Sequence, residues 1–314
     1  MILNIFLFCL GIALLYLGSE WMVKGAASLA LSFSIRPIIV GLTVVAFATS
    51  APELLVSLIA AVKGFSGVSL GNILGSNVAN IGLVLGASAL LRSLAVDKKL
   101  VRREIPFMIG VSGLFWLICL DGWIGRVDGT VLLAGLASFL ILGIITAKKS
   151  ENTKDEVPAQ KGKKVFWYIF LILIGMVGLV AGSHLVVNSA IFIARQLGLS
   201  EVFIGLSIVA VGTSLPELAT SVVAGARGEY DISIGNVVGS NVFNVCMVMG
   251  TVGLFNPMSV DMGLMRFEFP AMFLLSLILL VFSRTGFTLG RVKGLFFILS
   301  FFLFIGLSYW LSMG

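Results

Sequence analysis

Charge is the scarcest property of this chain. Asp, Glu, Lys and Arg make up 11% of its 314 residues, against about 25% in a soluble domain. Histidine occurs once and cysteine three times. Cys9, Cys119 and Cys246 lie in separate apolar stretches with no pairing or ligand spacing, which excludes a disulfide framework and a thiolate metal centre. There are no Gln/Asn tracts and no ten-residue alternating segments, so amyloid-like and outer-membrane barrel readings also fall away. Apolar residues are abundant: 59% of the chain is hydrophobic and the mean hydropathy is +1.11. Side chains in that proportion need lipid as their solvent.

A helical span of the bilayer takes about 20 apolar residues. Ten such stretches are expected, at 2–23, 36–62, 69–91, 104–120 and 127–147, then 165–190, 200–226, 231–253, 266–282 and 294–312. The first starts with no basic residue ahead of it, so a cleaved signal peptide is not expected. A polar linker at 148–164 separates residues 1–147 from 165–314. The net charge of +6 follows from topology, not from a nucleic-acid partner. With both termini outside a cell inner (plasma) membrane, only Lys63, Arg126, Arg195 and Arg266 of the 21 basic residues fall on the outer side, as the positive-inside rule requires. Trp21, Trp116, Trp123, Trp167 and Trp310 lie mostly near span ends, where aromatic side chains suit the interface.

The chain repeats itself. GLTVVAFATSAPELLVSLIAA at 41–61 returns as GLSIVAVGTSLPELATSVVAG at 205–225, and SLGNILGSNVANIGLVLG at 69–86 returns as SIGNVVGSNVFNVCMVMG at 233–250. Both pairs are 164 positions apart. The same offset carries Gly18-Ser19 onto Gly182-Ser183, and Asp97, Arg102, Glu104 and Pro106 onto Asp261, Arg266, Glu268 and Pro270. An odd number of spans per unit inverts the second copy. Inverted repeats are the architecture of secondary transporters, with the substrate site near the midplane. The expected fold class is therefore an all-α polytopic membrane protein, with ten spans in two inverted five-helix repeats and discontinuous helices at the midplane.

Glu53 and Glu217 are repeat equivalents deep within apolar stretches, where a charge costs a few kcal/mol and marks an ion pathway. No span carries a basic residue near its middle to neutralise them. Each follows proline in Thr-Ser-x-Pro-Glu: Thr49-Ser50-Ala51-Pro52-Glu53 and Thr213-Ser214-Leu215-Pro216-Glu217. Proline removes an amide donor and deprives the carbonyl four residues back, so the break should release main-chain oxygens around Ala46 to Thr49 and Ala210 to Thr213. The second motif, Gly-Asn-x-x-Gly-Ser-Asn-x-x-Asn, places Gly71 with Gly75, and Gly235 with Gly239, at close-packing spacing. It also places Ser76 with Asn80, and Ser240 with Asn244, on one helix face. These four are expected to point inward, while Asn72, Asn77, Asn236 and Asn241 bond broken backbone or a neighbouring helix. The donors are all oxygen, a set for hard cations such as Ca²⁺ and Na⁺ and not for zinc or copper. Two carboxylates are neutralised by one Ca²⁺ or two Na⁺, so the ions should compete.

The two strings resemble the α-repeats of the calcium/cation antiporter superfamily, most closely the prokaryotic branch of the sodium/calcium exchangers. The resemblance covers essentially the whole chain. It implies antiport of Na⁺ for Ca²⁺ by alternating access, with a sodium excess that makes the cycle electrogenic. It also implies that Glu53 and Glu217 are shared by the two ions and that main-chain oxygens of Thr49 and Thr213 join the Ca²⁺ site. Ala46, Ser50, Ser76, Ala210, Ser214 and Ser240 would then form flanking Na⁺ sites, and Asn80 and Asn244 match the central polar positions. Some prokaryotic members and the potassium-dependent exchangers carry Asp where this chain has Asn244, so potassium-independent exchange is expected. Neither a cofactor nor an obligatory protein partner is expected; the partners are Ca²⁺, Na⁺ and the bilayer. The alternatives are Ca²⁺/H⁺ antiport, a passive cation channel, or an intramembrane enzyme using two carboxylates. His184, the single histidine, is the equivalent of Glu20 and reads as an interfacial polar residue.

Overall fold

The computed structural model describes residues 1–147, 164–197 and 210–313. The first half contributes α1 (Ile2–Ser32), α2 (Pro37–Thr49), α3 (Ala51–Val62), α4 (Ser66–Leu91), α5 (Leu100–Asp121) and α6 (Arg126–Ala147). The second contributes α7 (Val165–Gln196), α8 (Leu215–Arg227), α9 (Tyr230–Phe255), α10 (Met262–Arg284) and α11 (Arg291–Met313). α2 and α3 are two legs of one span, bent by 42°. Nine spans are therefore present among the described residues. The expected span at 200–226 is represented by α8 and a helical turn at Ala210–Gly212. Residues 200–209, the Ala210 side chain and linker residues 148–163 lie outside the described residues.

Some span ends move. α1 was expected to stop at 23 and continues to Ser32; α7 was expected to stop at 190 and continues to Gln196. Lys24 is exposed and can extend its ammonium away from the packed face, while Gly25, Ala26 and Ala30 beyond it are buried. One charge therefore does not end a helix whose next turns still have a partner.

That partner is α7, and the contact is made by glycine. Gly11, Gly18 and Gly25 recur every seven residues along one face of α1. A methyl group on Gly18 would lie 2.8 Å from the Gly175 carbonyl oxygen, and one on Gly182 would lie 2.8 Å from that of Gly11. The two helices thus meet backbone to backbone, the arrangement small residues permit in lipid. The repeat offset maps Gly11 and Gly18 onto Gly175 and Gly182, so this packing is itself symmetric.

α4 and α9 are enclosed on nearly all sides and form the centre. Gly239 of α9 lets α2 approach so closely that a Cβ there would sit 2.6 Å from the Leu42 carbonyl oxygen; Gly235 does the same against Ile38. The counterpart neighbours of Gly71 and Gly75 fall at 202 and 206, outside the described residues.

Two small ribbons depart from the expected all-helical plan. β1 (Leu94–Ala95) pairs with β4 (Thr288–Leu289), and β2 (Trp123–Ile124) pairs with β3 (Met258–Ser259), both antiparallel. Each joins one half to the other. The β1–β4 ribbon places loops 92–99 and 285–290 on one membrane face, and the β2–β3 ribbon places loops 122–125 and 256–261 on the opposite one. On the first face Arg36 pairs with Asp97 at 2.6 Å, Arg92 donates to the Ala226 carbonyl at 3.0 Å, and Arg227 pairs with Glu20. On the second, Asn256 donates to the Ala61 carbonyl at 2.8 Å. Arg92, Lys98, Lys99, Arg284 and Arg291 thus gather at one face, while the repeat-equivalent loops 92–97 and 256–261 lie on opposite faces, as an odd number of spans per repeat demands.

Candidate functional site

Each carboxylate sits where a helix stops and restarts. Ser50 (φ −83°, ψ 0°) ends α2 and precedes α3; Ser214 (φ −88°, ψ 6°) holds the same place before α8. Pro52 and Pro216 then occupy the second position of the new helix, where a missing N–H costs nothing. Glu53 and Glu217 follow in the first turn, near the positive end of the helix dipole, which favours a carboxylate there. Ser50 and Ser214 stand at N-cap positions but make no capping hydrogen bond, so their hydroxyl oxygens remain available. Both carboxylates are fully buried and close enough to feel each other's charge. The hydroxyls of Thr49, Ser50 and Ser240 flank the Glu217 carboxylate.

The halves lock together by exchanging hydrogen bonds. Thr49 Oγ1 donates to Asn236 Oδ1 at 3.1 Å and lies 3.2 Å from Ser240 Oγ. Reciprocally, Thr213 Oγ1 donates to Asn72 Oδ1 at 3.3 Å and lies 3.5 Å from Ser76 Oγ. Asn77 and Asn241 donate to each other's main-chain oxygens at 3.4 and 3.3 Å. Their side-chain oxygens accept the amides of the central pair: Asn80 Nδ2 donates to Asn241 Oδ1 at 3.0 Å, and Asn244 Nδ2 to Asn77 Oδ1 at 3.1 Å.

This network fixes the amides and leaves oxygen over. With their nitrogens committed, Asn80 and Asn244 keep Oδ1 buried and without a partner. So do both carboxylate oxygens of Glu53 and of Glu217, and Oγ of Ser50 and of Ser214. A buried polar atom without a partner costs about 1–3 kcal/mol, more if charged. These oxygens form one symmetry-related set in which carboxylate and amide acceptors outnumber the hydroxyl donors, and a bound cation would satisfy the excess. Calcium takes six to eight oxygens in flexible geometry, and the set has that size and composition. Among the described residues no cluster of three or more His, Cys, Asp or Glu side chains could hold a metal; two acids with neutral oxygens are what the site offers.

Several expected roles change in detail. The Ala46 carbonyl is not released by the break: it accepts the Ser50 N–H at 3.0 Å. The reason is that Ser50 still has an amide to give; proline at 52 deprives Ala48, one turn back, instead. In the second half the corresponding carbonyl, Gly212, accepts Ser183 Oγ of α7 at 2.8 Å. Ser76 and Ser240 face inward but are paired with the opposite half's threonines. All four flanking asparagines bond a neighbouring helix as expected: Asn77 and Asn241 its backbone, Asn72 and Asn236 mainly its serine side chains.

Sequence reasoning overlooked Ser57 and Ser221. They receive Asn72 Nδ2 at 2.9 Å and Asn236 Nδ2 at 3.0 Å and so aim the amide oxygens at Thr213 and Thr49. The signal was present: both serines recur at the repeat offset, four residues after each glutamate. Thr220 is also fully buried with Oγ1 unpartnered, one turn beyond Glu217, and its equivalent Val56 gave no hint. Both central Asn residues open a wide, π-helical stretch, Asn80–Leu85 and Asn244–Met249, a local widening common at functional sites.

The family model described as sodium/calcium exchanger protein matches residues 3–145 and 167–310, one match per repeat. The inner membrane protein YrbG of Escherichia coli (strain K12) is 34% identical over 324 residues, covering 99% of this chain and 98% of its own. The sodium/calcium exchanger MaX1 of Methanosarcina acetivorans is 29% identical over 340 residues, covering 96% and 97%. A solved structure of the sodium-calcium exchanger NCX_Mj soaked with Na⁺ and Ca²⁺ superposes with a TM-score of 0.85 at 33% identity, covering 98% of each chain. This chain therefore belongs to the sodium/calcium exchanger family of membrane transporters.

Proposed function

We propose that the protein exchanges Na⁺ for Ca²⁺ by alternating access, electrogenically and without K⁺. The observation that carries this reading is the symmetric set of buried, unpartnered oxygens on Glu53, Glu217, Asn80, Asn244, Ser50 and Ser214. One Ca²⁺ or two Na⁺ would neutralise the two carboxylates, so occupancy by one ion excludes the other. Any further Na⁺ bound by the neutral oxygens of Thr49, Thr213, Ser76 or Ser240 would add net charge to the sodium-loaded form. Amides at both central positions, in place of an acid, leave no third carboxylate to recruit K⁺. The basic face is assigned to the cytoplasm by the positive-inside rule, which places both ends of the chain outside. The relative named as an inner membrane protein supports a cell-membrane location.

The test is ⁴⁵Ca²⁺ uptake into proteoliposomes under imposed gradients. Internal Na⁺ should drive uptake, its reversal should drive efflux, K⁺ should have no effect, and a membrane potential should change the rate. Uptake driven equally by a pH gradient without Na⁺ would indicate Ca²⁺/H⁺ antiport, and downhill Ca²⁺ flux without a counter-ion would indicate a channel.

A further inference from the structure

The two halves are alike in sequence but not in packing, and the difference shows which side is shut. α8 runs from the buried Glu217 toward the basic face, and α1 covers it. Val223 and Ala224 are buried in one apolar cluster with Leu15, Met22, Val23 and Ala26. By repeat symmetry, α7 should cover α3 in the opposite half of the membrane. It does not: Ile59, the equivalent of Val223, is 52% exposed where Val223 is 8%. Leu55, the equivalent of Ala219, is also exposed. On the basic-face side α1 covers α8, and on the other side α7 leaves α3 uncovered.

The closed side carries an ion pair. Arg227, at the end of α8, holds Glu20 of α1, with Nε donating to Oε1 at 2.8 Å and a second contact from Nη2 to Oε2. This forked geometry gives both strength and direction. The repeat offset assigns the corresponding pair on the open side without ambiguity: Glu20 maps onto His184, and Arg227 onto Lys63. A histidine and a lysine form no ion pair in either protonation state of the imidazole. In this structure Lys63 is exposed, and His184 instead lies within 2.6 Å of Asn188 on its own helix.

We propose that Glu20–Arg227 is a latch on the basic-face gate, and that His184–Lys63 is its unlatched counterpart. The resting chain therefore favours the conformation open away from the basic face. The inference rests on alternating access. α1 and α7 are joined by their glycine faces, so closing one side of the pair against α8 is coupled to opening the other against α3. The latch adds free energy to only one of two otherwise equivalent arrangements.

The experiment reads gate opening at a reporter outside the ion site. Val223→Cys is reconstituted, and an impermeant maleimide is added from the basic face, with the parent chain measuring the background of native cysteines. Glu20→Gln and Arg227→Gln should each raise the labelling rate about fivefold, the scale of one partly exposed ion pair. The exchange Glu20→Arg with Arg227→Glu should restore protection. His184→Glu should also raise labelling, because it gives the opposite gate an ion pair with Lys63. Unchanged labelling in all these variants, or no recovery in the exchanged pair, would overturn the latch. Calorimetric titration of Ca²⁺ in detergent is run in parallel. If the parent chain binds no Ca²⁺, the ion-exchange reading fails; if it binds Ca²⁺ while labelling stays flat, only the latch fails.

Discussion

Glu53→Gln is the sharpest perturbation of the ion site, because it removes a charge and almost no volume. The parent carboxylate is fully buried, and neither oxygen has a hydrogen-bond partner. The substituted amide can donate where the carboxylate could only accept, and it removes the repulsion with Glu217. The ion-free variant should therefore unfold no earlier than the parent. Binding is another matter. Removing one partner of a buried charge pair costs about 3–5 kcal/mol, or roughly two to three and a half decades in affinity. A ligand at 100 times its Kd stabilises the folded state by about 2.7 kcal/mol. For the variant at the same Ca²⁺ concentration the ratio falls to one or below, and the gain to about 0.4 kcal/mol or less. Thermal unfolding in detergent with and without Ca²⁺ measures both quantities, and ⁴⁵Ca²⁺ flux should be nearly abolished. A Ca²⁺ affinity within threefold of the parent would refute the argument that both carboxylates hold the ion.

Glu217→Gln should match Glu53→Gln in flux and in lost Ca²⁺ stabilisation; a tenfold difference between them would show that the ion favours one half. Asn77→Ala removes the acceptor that pins Asn244 and a donor to α9, so it should cost about 1–3 kcal/mol of stability; the double variant with Asn241→Ala should cost less than the sum of the two singles in a denaturation cycle. Gly18→Leu would drive side-chain atoms into the Gly175 carbonyl and Leu179 amide and should stop transport, whereas Gly110→Ala, with nothing within 4 Å of the new methyl, should be silent in the same flux assay. The Asp97 carboxyl is pushed up by partial burial, but the Arg36 guanidinium and the backbone amides of Lys99 and Leu100 outweigh that and hold it below its ordinary value. A lowered carboxylate contributes stability above its unfolded pKa, near 3.9, and loses it as pH falls through the folded value. Asp97→Asn should thus lower Tm by an increment worth up to about 1 kcal/mol at pH 7, and the difference from the parent should shrink below pH 4.

Much of this site could be read before any coordinate was known, because the evidence was local or repeated. A glutamate with no nearby base in an apolar span needs a cation, and proline one residue earlier needs a broken helix. A constant offset between two copies pairs every residue of one half with a residue of the other. Glu53 and Glu217 follow from those facts, and Asn80 and Asn244 from sharing a helix face with Ser76 and Ser240. Ser57 and Ser221 were legible by the same logic but are silent in any one helix, since a serine at i+4 only acquires a task once Asn72 or Asn236 is seen across from it.

Other features depend on which helices lie side by side, and sequence periodicity does not carry that. The length of α1 beyond Lys24 is set by α7, whose glycine face gives those extra turns a surface to bury against. The Ala46 carbonyl keeps a helical hydrogen bond from Ser50, because the proline two residues later breaks the ladder at Ala48 instead. The four short strands form only because loops from opposite halves meet at each membrane face. The inequality of the two gates is likewise tertiary: related repeats permit two packings, and the contacts between α1 and α8 favour one. Sequence determined what each half contains and that the halves are inverted, since charge, proline and repetition act along the chain. Packing decided which oxygens remain without donors and which side is closed, since those are properties of neighbours brought together from opposite halves of the chain.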